Sequence, residues 1–223
     1  MAKGVKKGST REKIIRVSTR MFLEFGYSAT TVQMVSTELG ISKGLFTFHF
    51  HSKEDVLAEL TNLLCEFQRK MIEYEAGEGI SSLLSICLEL MSMAAACEES
   101  EVAKDFFVST YQSPKCLEII HNNDTARAKE VFAEYCPDWT DEQFREAEIL
   151  VAGIEYATLN AIDRTVSLET RISGALNAIM MIYNVPEDIR KIKINKVLAF
   201  DYRSIGKRIF KEFRGYVEKA NEF

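Results

Sequence analysis

Proline is scarce in this chain. Three residues in 223, at positions 114, 137 and 186, leave few obligatory breaks, and eleven glycines add little more. No run alternates apolar and polar residues over the length of a strand, so a sheet is excluded and the reading is all-α. The cysteines, at 65, 87, 97, 116 and 136, are odd in number, widely spaced and free of any C-x-x-C pair. That excludes a disulfide framework and a zinc knuckle, and it predicts a reducing, cytoplasmic setting. No eighteen apolar residues run uninterrupted, and the basic N-terminus leads into no apolar segment, so the expectation is a soluble protein with no membrane partner and no export. A nucleophile beside its base, a glycine-rich phosphate loop and an H-E-x-x-H pattern are all missing, which argues against an enzyme and against any cofactor. His49 and His51 stand two apart and diverge on a helix, so no metal site is expected there.

What is present is a strong charge asymmetry. Residues 1–53 hold nine Lys or Arg against three Glu, a net of plus six, whereas the other 170 hold nineteen basic and thirty acidic groups, a net of minus eleven. A basic surface gains by releasing counterions from phosphates, so polyanion binding belongs to the N-terminal quarter. Residues 1–8 read as a basic arm for phosphate contact.

Helix signals follow in series. Ser9 with Glu12 forms a capping box, and Ile14, Val17 or Ser18, Met21 and Phe25 repeat at helical spacing until Gly26. Thr30 with Gln33 opens a second, nine-residue helix that stops at Gly40, and Ser42 caps a third containing Lys43 to Phe50. These three helices share a small core of Ile14, Phe22, Val35, Leu39, Ile41, Phe46 and Phe50. The third helix is too short to persist alone and carries more aromatic surface than one buried face needs, so part of it faces a partner. A fourth helix starts at Ser52, with Asp55 three residues on, and runs to the breaks at Gly77 and Gly79. Lys53 in its first turn makes sense if an anion shares that helix end.

The body is longer-segmented and more apolar. Ile80–Cys97, Val102–Tyr111, a helix from Pro114 to about Tyr135, Asp141 to about Arg164 and Leu168–Tyr183 are predicted helices, followed by one or two amphipathic helices between Glu187 and Phe223. Small residues gather on one face of each tandem helix: Gly153, Ala157 and Ala161 on the first, Gly174 and Ala178 on the second. Mid-helix glycines suggest a close helix approach, either within the chain or as a four-helix dimer interface. Soft and aromatic side chains suit a pocket for a small molecule, and Met91, Phe107, Tyr111, Tyr156 and Asn160 are the candidate effector contacts. His121 to Asp124 reads as a polar helix face.

From Ser9 to about Leu60 the chain resembles the DNA-binding domain of the TetR family of transcriptional regulators. The carriers are Phe25-Gly26-Tyr27, Thr30-Thr31, Leu39-Gly40-Ile41-Ser42-Lys43-Gly44, His49-Phe50 and Ser52-Lys53-Glu54-Asp55. The resemblance implies a helix-turn-helix domain over 1–51 and a helical effector-binding and dimerisation domain over 52–223. It implies a homodimeric regulator, usually a repressor, that grips a palindromic operator in double-stranded DNA and is released by a small molecule, with the fourth helix as the lever. Carried over position by position, Thr31, Val32 and Gln33 would face a phosphate or base edge. Lys43, Gly44, Leu45, Thr47, Phe48 and His49 would enter the major groove, and Lys53 would hold a phosphate. Two departures stand out: Thr47 and Phe48 replace tyrosines usual in relatives, and Val32 replaces a frequent arginine. Phe48 then offers only apolar contact, such as with a thymine methyl, leaving Lys43 and Gln33 as the polar base readers. The rival readings are a helical protein-interaction module and a hydrophobic-ligand carrier.

Overall fold

The computed structural model describes residues 9–76, 81–162 and 165–220. The expected basic arm at 1–8, the breaks at Gly77 and Gly79 and the helix end at Arg164 lie outside the described residues. Among those described there are eleven helices and no strand.

Local signals explain the first three. α1 (Thr10–Phe25) starts on the full capping box, with Ser9 Oγ accepting from the Glu12 amide and Glu12 Oε2 accepting from the Ser9 amide at 2.6 Å. α2 (Val32–Leu39) begins one residue later than the spacing predicts. Thr31, not Thr30, is its N-cap, accepting from the Met34 amide at 3.2 Å. Thr30 is fully buried and donates to the Gly26 carbonyl instead. Gly40 ends α2 in the left-handed region at φ 64°, a conformation costly for a side-chain-bearing residue. α3 (Lys43–His49) is capped by Ser42 Oγ. Ile14, Phe22, Val35, Phe46 and Phe50 are buried between these helices, with Leu39 and Ile41 packed at the edge. Phe25 departs from the predicted stripe and lies 55% exposed.

α4 (Lys53–Ala76) has 24 residues and so spans about 36 Å at 1.5 Å per residue. It runs from the three-helix unit into the body. There α5 (Ser82–Glu99) is the central post, buried along most of its length by Leu, Met, Ala, Ser and Cys side chains. Around it stand α6 (Glu101–Gln112), α7 (Pro114–Val131), α8 (Asp141–Leu159), α9 (Leu168–Ile182), α10 (Glu187–Leu198) and α11 (Tyr202–Ala220). α7 stops four residues short of the predicted Tyr135 because the chain turns at Phe132 to stack on Tyr183, ring centroids 3.9 Å apart. α8 also ends early, at Leu159, so Ala161 lies beyond it, its carbonyl accepting from Lys104 Nζ at 3.3 Å.

The close helix crossing falls at an unexpected glycine. A Cβ on Gly206 of α11 would sit 2.3 Å from the Ser92 carbonyl oxygen of α5, whereas one on Gly153 or Gly174 would meet nothing within 4 Å. Intrachain packing is therefore not what calls for the latter two. α11 buries Ile205, Ile209, Phe213 and Val217 against α5, α4 and α1, as its stripe predicts, while Ile192 of α10 is 51% exposed. Arg214 of α11 pairs with Glu24 of α1 at 2.6 Å. One hydrophobic core runs from Ile14 to Val217, so the small N-terminal core is completed by the body.

Candidate DNA interface and internal cavity

The turn between α2 and α3 leaves one face of the unit open. Thr31, Gln33, Lys43, Gly44, Leu45 and Thr47 are exposed on it, and Phe48 stands 79% exposed. The burial of Phe46 and Phe50 on the opposite side orients this face, because α3 has only seven residues and two of them anchor it. Lys43 makes no ion pair with any described residue. Val32 and His49 are half-buried, His49 packing edge-on to Phe48 at 5.2 Å. Thr47 donates its hydroxyl proton to the Gly44 carbonyl at 3.1 Å, leaving its lone pairs outward. Gln33 donates to Thr37 Oγ1 at 3.0 Å. Exposed Met34 and Thr37 extend the face and were not anticipated.

Lys53 has a different task from the predicted phosphate contact. Its ammonium donates to the carbonyls of Tyr27 at 2.7 Å, Thr30 at 2.9 Å and Ser28 at 3.4 Å, and lies 4.2 Å from the centre of the Tyr27 ring. All three protons are thus used within the protein, closing the α1–α2 loop. Burial lowers its pKa, while the same burial raises the Tyr27 phenol to about 12.

In the body, α4 to α9 line a cavity of about 430 Å³. Leu64, Leu90, Met93, Phe107, Val151 and Ile179 give it apolar walls. Five acidic residues, Glu66, Glu89, Asp124, Glu148 and Glu155, line it with two cations, Arg69 and Arg127; of these Glu66 and Arg69 are exposed at the surface. Arg127 pairs with Glu89, Tyr183 donates to Glu148, and Tyr111 donates to Glu155 at 3.0 Å. Burial first and mutual repulsion second raise the acids: Glu155 to about 8 and Asp124 well above the carboxylate range. Glu148 is raised by burial alone. Burial and then Glu155 push the Tyr111 phenol up.

Of the predicted effector contacts, Phe107 and Tyr111 line the cavity. Met91 does not; it is fully buried in the α5 core. Tyr156 and Asn160 also lie off the cavity, bonded to each other at 3.2 Å, with Gln112 donating to the Tyr156 hydroxyl at 3.1 Å. Asp124, read as part of a polar helix face, points inward instead, since it falls on the Cys116–Ile120–Ala128 face of α7. The acidic lining had a signal that went unread: Glu148 and Glu155 sit at core spacing between Phe144, Val151 and Leu159.

The cavity and the exposed face are joined by α6 and α7, which wall the cavity with Phe107, Tyr111 and Asp124. At their junction Ser113 donates to Glu54 Oε1 at 2.6 Å, and Lys115 pairs with Asp55, both acceptors lying in the first turn of α4. One turn before Tyr111's neighbours, Asp105 accepts from the Ser28 amide at 2.8 Å and from its hydroxyl.

A helix-turn-helix unit with one exposed face is thus seated on a helical body that holds a cavity. Residues 14–60 match the family model described as bacterial regulatory proteins, tetR family. Among relatives, it is 51% identical over 106 residues to the uncharacterized HTH-type transcriptional regulator YerO of Bacillus subtilis, covering 44% of this chain and 34% of YerO. It is 32% identical over 101 residues to the HTH-type transcriptional regulator LmrA of the same organism, covering 42% and 52% respectively. The match thus spans about a third to a half of these relatives. The fold of Thermus thermophilus FadR, a TetR-family repressor in complex with lauroyl-CoA, superposes with TM-score 0.56 at 16% identity, over 76% of this chain and 93% of FadR. The regulator TylP of Streptomyces fradiae superposes with TM-score 0.50 at 18% identity, over 91% and 96%. No described helix is long and apolar enough to cross a membrane.

Proposed function

We propose that the chain is a one-component transcriptional repressor of the cytoplasm, without enzymatic activity. It binds a palindromic operator as a homodimer and releases it when a small molecule fills the cavity. The observation that carries this reading is the α6–α7 junction, which walls the cavity on one side and holds the first turn of α4 and the Ser28 loop on the other. A ligand shifts an equilibrium only by its differential affinity for two states. Pushing α6 and α7 apart would pull on Ser113 and Asp105, and so move α3 relative to a second copy. The lever is therefore α4 together with α6 and α7, a wider device than α4 alone.

In this reading residues 1–51 serve DNA and 52–223 serve effector and dimer. Lys43 and Gln33 read base edges, Thr31 approaches a phosphate, and Gly44, Leu45, Thr47 and Phe48 enter the major groove, with Val32 and His49 supporting them from a half-buried position. Lys53 supports the loop beneath them. The dimer face is α8 and α9: Ile149, Leu150 and Met181 are each more than half exposed, and Gly153, Ala157, Gly174 and Ala178 flank them with open space above both glycines. The lauroyl-CoA held by FadR is not carried over, because its phosphates would meet the carboxylates of this cavity.

Fluorescence anisotropy on an operator found by footprinting, set against random duplex, tests the assignment. Lys43→Ala is expected to lose about 1 to 3 kcal/mol of discrimination between the two. Equal loss on both duplexes would contradict base reading by Lys43. Binding that did not weaken steeply with salt would favour a protein-interaction module or carrier instead.

A further inference from the structure

Among the groups facing the cavity, two are left without partners. Asp124, half-buried, lines the cavity with no hydrogen bond or close ion pair to any described residue, Arg127 being the cation that attracts it. Gln68 of α4 is 3% exposed, and its amide nitrogen is buried with no partner. A buried polar group with no partner loses its hydration for nothing in return, so such groups are rare unless something else completes them. The inner charge is also unbalanced. Arg127 answers Glu89, and the phenols of Tyr183 and Tyr111 answer Glu148 and Glu155 as hydrogen-bond donors without neutralising them. The rings of Phe107, Tyr111 and Phe132 line the same cavity, and Leu64, Leu90, Met93 and Ile179 add aliphatic wall.

We propose that the cavity takes an amphipathic organic monocation. Its cationic centre lies between Asp124 and Glu155 and the aromatic rings, its apolar body lies along Leu64, Leu90, Met93 and Ile179, and a carbonyl or ether oxygen accepts from Gln68. This deepens the reading of the cavity as the effector site and rests on it. The chemistry follows from the wall. A cation gains from carboxylates in a water-poor space and from aromatic quadrupoles, whereas an anion is repelled by the same groups and a neutral molecule leaves Asp124 unanswered. The raised acids hold protons while the cavity holds no cation, and a bound cation displaces them.

A pair of probes that differ in charge alone tests this. Decanoylcholine supplies a quaternary ammonium, an ester carbonyl and an apolar chain. Its carbon isostere, 3,3-dimethylbutyl decanoate, has the same shape and no charge. By calorimetric titration of the full chain, decanoylcholine is expected to bind at least tenfold tighter than the isostere. The double variant Asp124→Asn, Glu155→Gln is expected to lose at least tenfold for the cation and to leave the isostere unchanged. Removing enclosed charge does not empty the core, so the variant should fold, and its circular dichroism spectrum and melting temperature verify that. Equal affinity for the two probes, binding of neither, or cation affinity untouched in the folded double variant would each overturn the proposal. Operator binding is followed separately by anisotropy. Cation binding that left DNA affinity unchanged would remove the effector reading while keeping the cation site.

Discussion

Lys53→Met separates two roles that one lysine could have, holding a phosphate or holding a loop. The ammonium makes two bonds of 3.0 Å or shorter, to Tyr27 and Thr30, and a longer one to Ser28. Hydrogen bonds to charged groups contribute about 1.5 to 3 kcal/mol each, but the ammonium is partly dehydrated to make them, as its lowered pKa reflects, and methionine escapes that cost. Two strong bonds less that desolvation leave about 2 kcal/mol. For a chain of this size 1 kcal/mol moves the melting temperature by about 2 to 4 °C, so the variant is expected to melt about 4 to 8 °C lower. Its affinity for DNA would fall with the disordered loop, but the slope of log affinity against log salt would stay as in the wild type, because no counterion-releasing contact is lost. The assays are differential scanning calorimetry and an anisotropy salt series. An unchanged melting temperature with a slope shallower by about 0.9 would refute the reasoning and restore the phosphate contact.

Three further outcomes are expected. Gly206→Ala places a methyl 2.3 Å from the Ser92 carbonyl oxygen, a backbone atom that cannot step aside, so urea unfolding should show a loss of about 1 to 3 kcal/mol; a neutral effect would mean that α5 and α11 do not cross so closely. Glu155 binds its proton up to about pH 8 in the folded chain against an ordinary value of 4.5, so the native state holds more protons than the unfolded one in that window and stability falls as pH rises through it, by up to about 1.4 kcal/mol per pH unit. Glu155→Gln should therefore gain on the wild type between pH 5 and pH 8 in melting temperature, and a constant difference across that range would contradict the raised carboxyl. A Cβ at Gly153 has nothing of its own chain within 4 Å, so for Gly153→Arg light scattering should show weakened dimerisation while circular dichroism stays the same; a dimer of unchanged affinity would move the interface elsewhere.

Helix starts were legible where a side-chain oxygen stands at the right distance from a free amide: Ser9 and Ser42 cap as the residues suggest, while at α2 the cap falls on Thr31 beside the expected Thr30. Helix ends were less so. α7 stops where Phe132 meets Tyr183, fifty-odd positions on, and no local signal foretells a stacking partner so distant. The exposed face of α3 was readable from an excess of aromatic residues, since Phe46 and Phe50 fill the core and Phe48 is left over. The intramolecular bonds of Lys53 were not legible, because helix-end electrostatics, true for an isolated helix, take no account of the carbonyls that the α1–α2 loop folds over it. The cavity was half-legible. Phe107 and Tyr111 looked like lining and are, but acids are normally counted as surface, and only their register on α7 and α8 betrays that Asp124, Glu148 and Glu155 turn inward.

The most direct measurement is a footprint of the full chain on genomic fragments, read with and without Lys43→Ala. A palindromic site should be protected, with half-sites about one helical turn apart or slightly more, and the variant should lose that site while keeping weak, salt-sensitive coverage of other duplex. Protection that never rises above a uniform background, or a discrete site that Lys43→Ala leaves unchanged, would contradict the claim that this exposed α2–α3 face reads DNA.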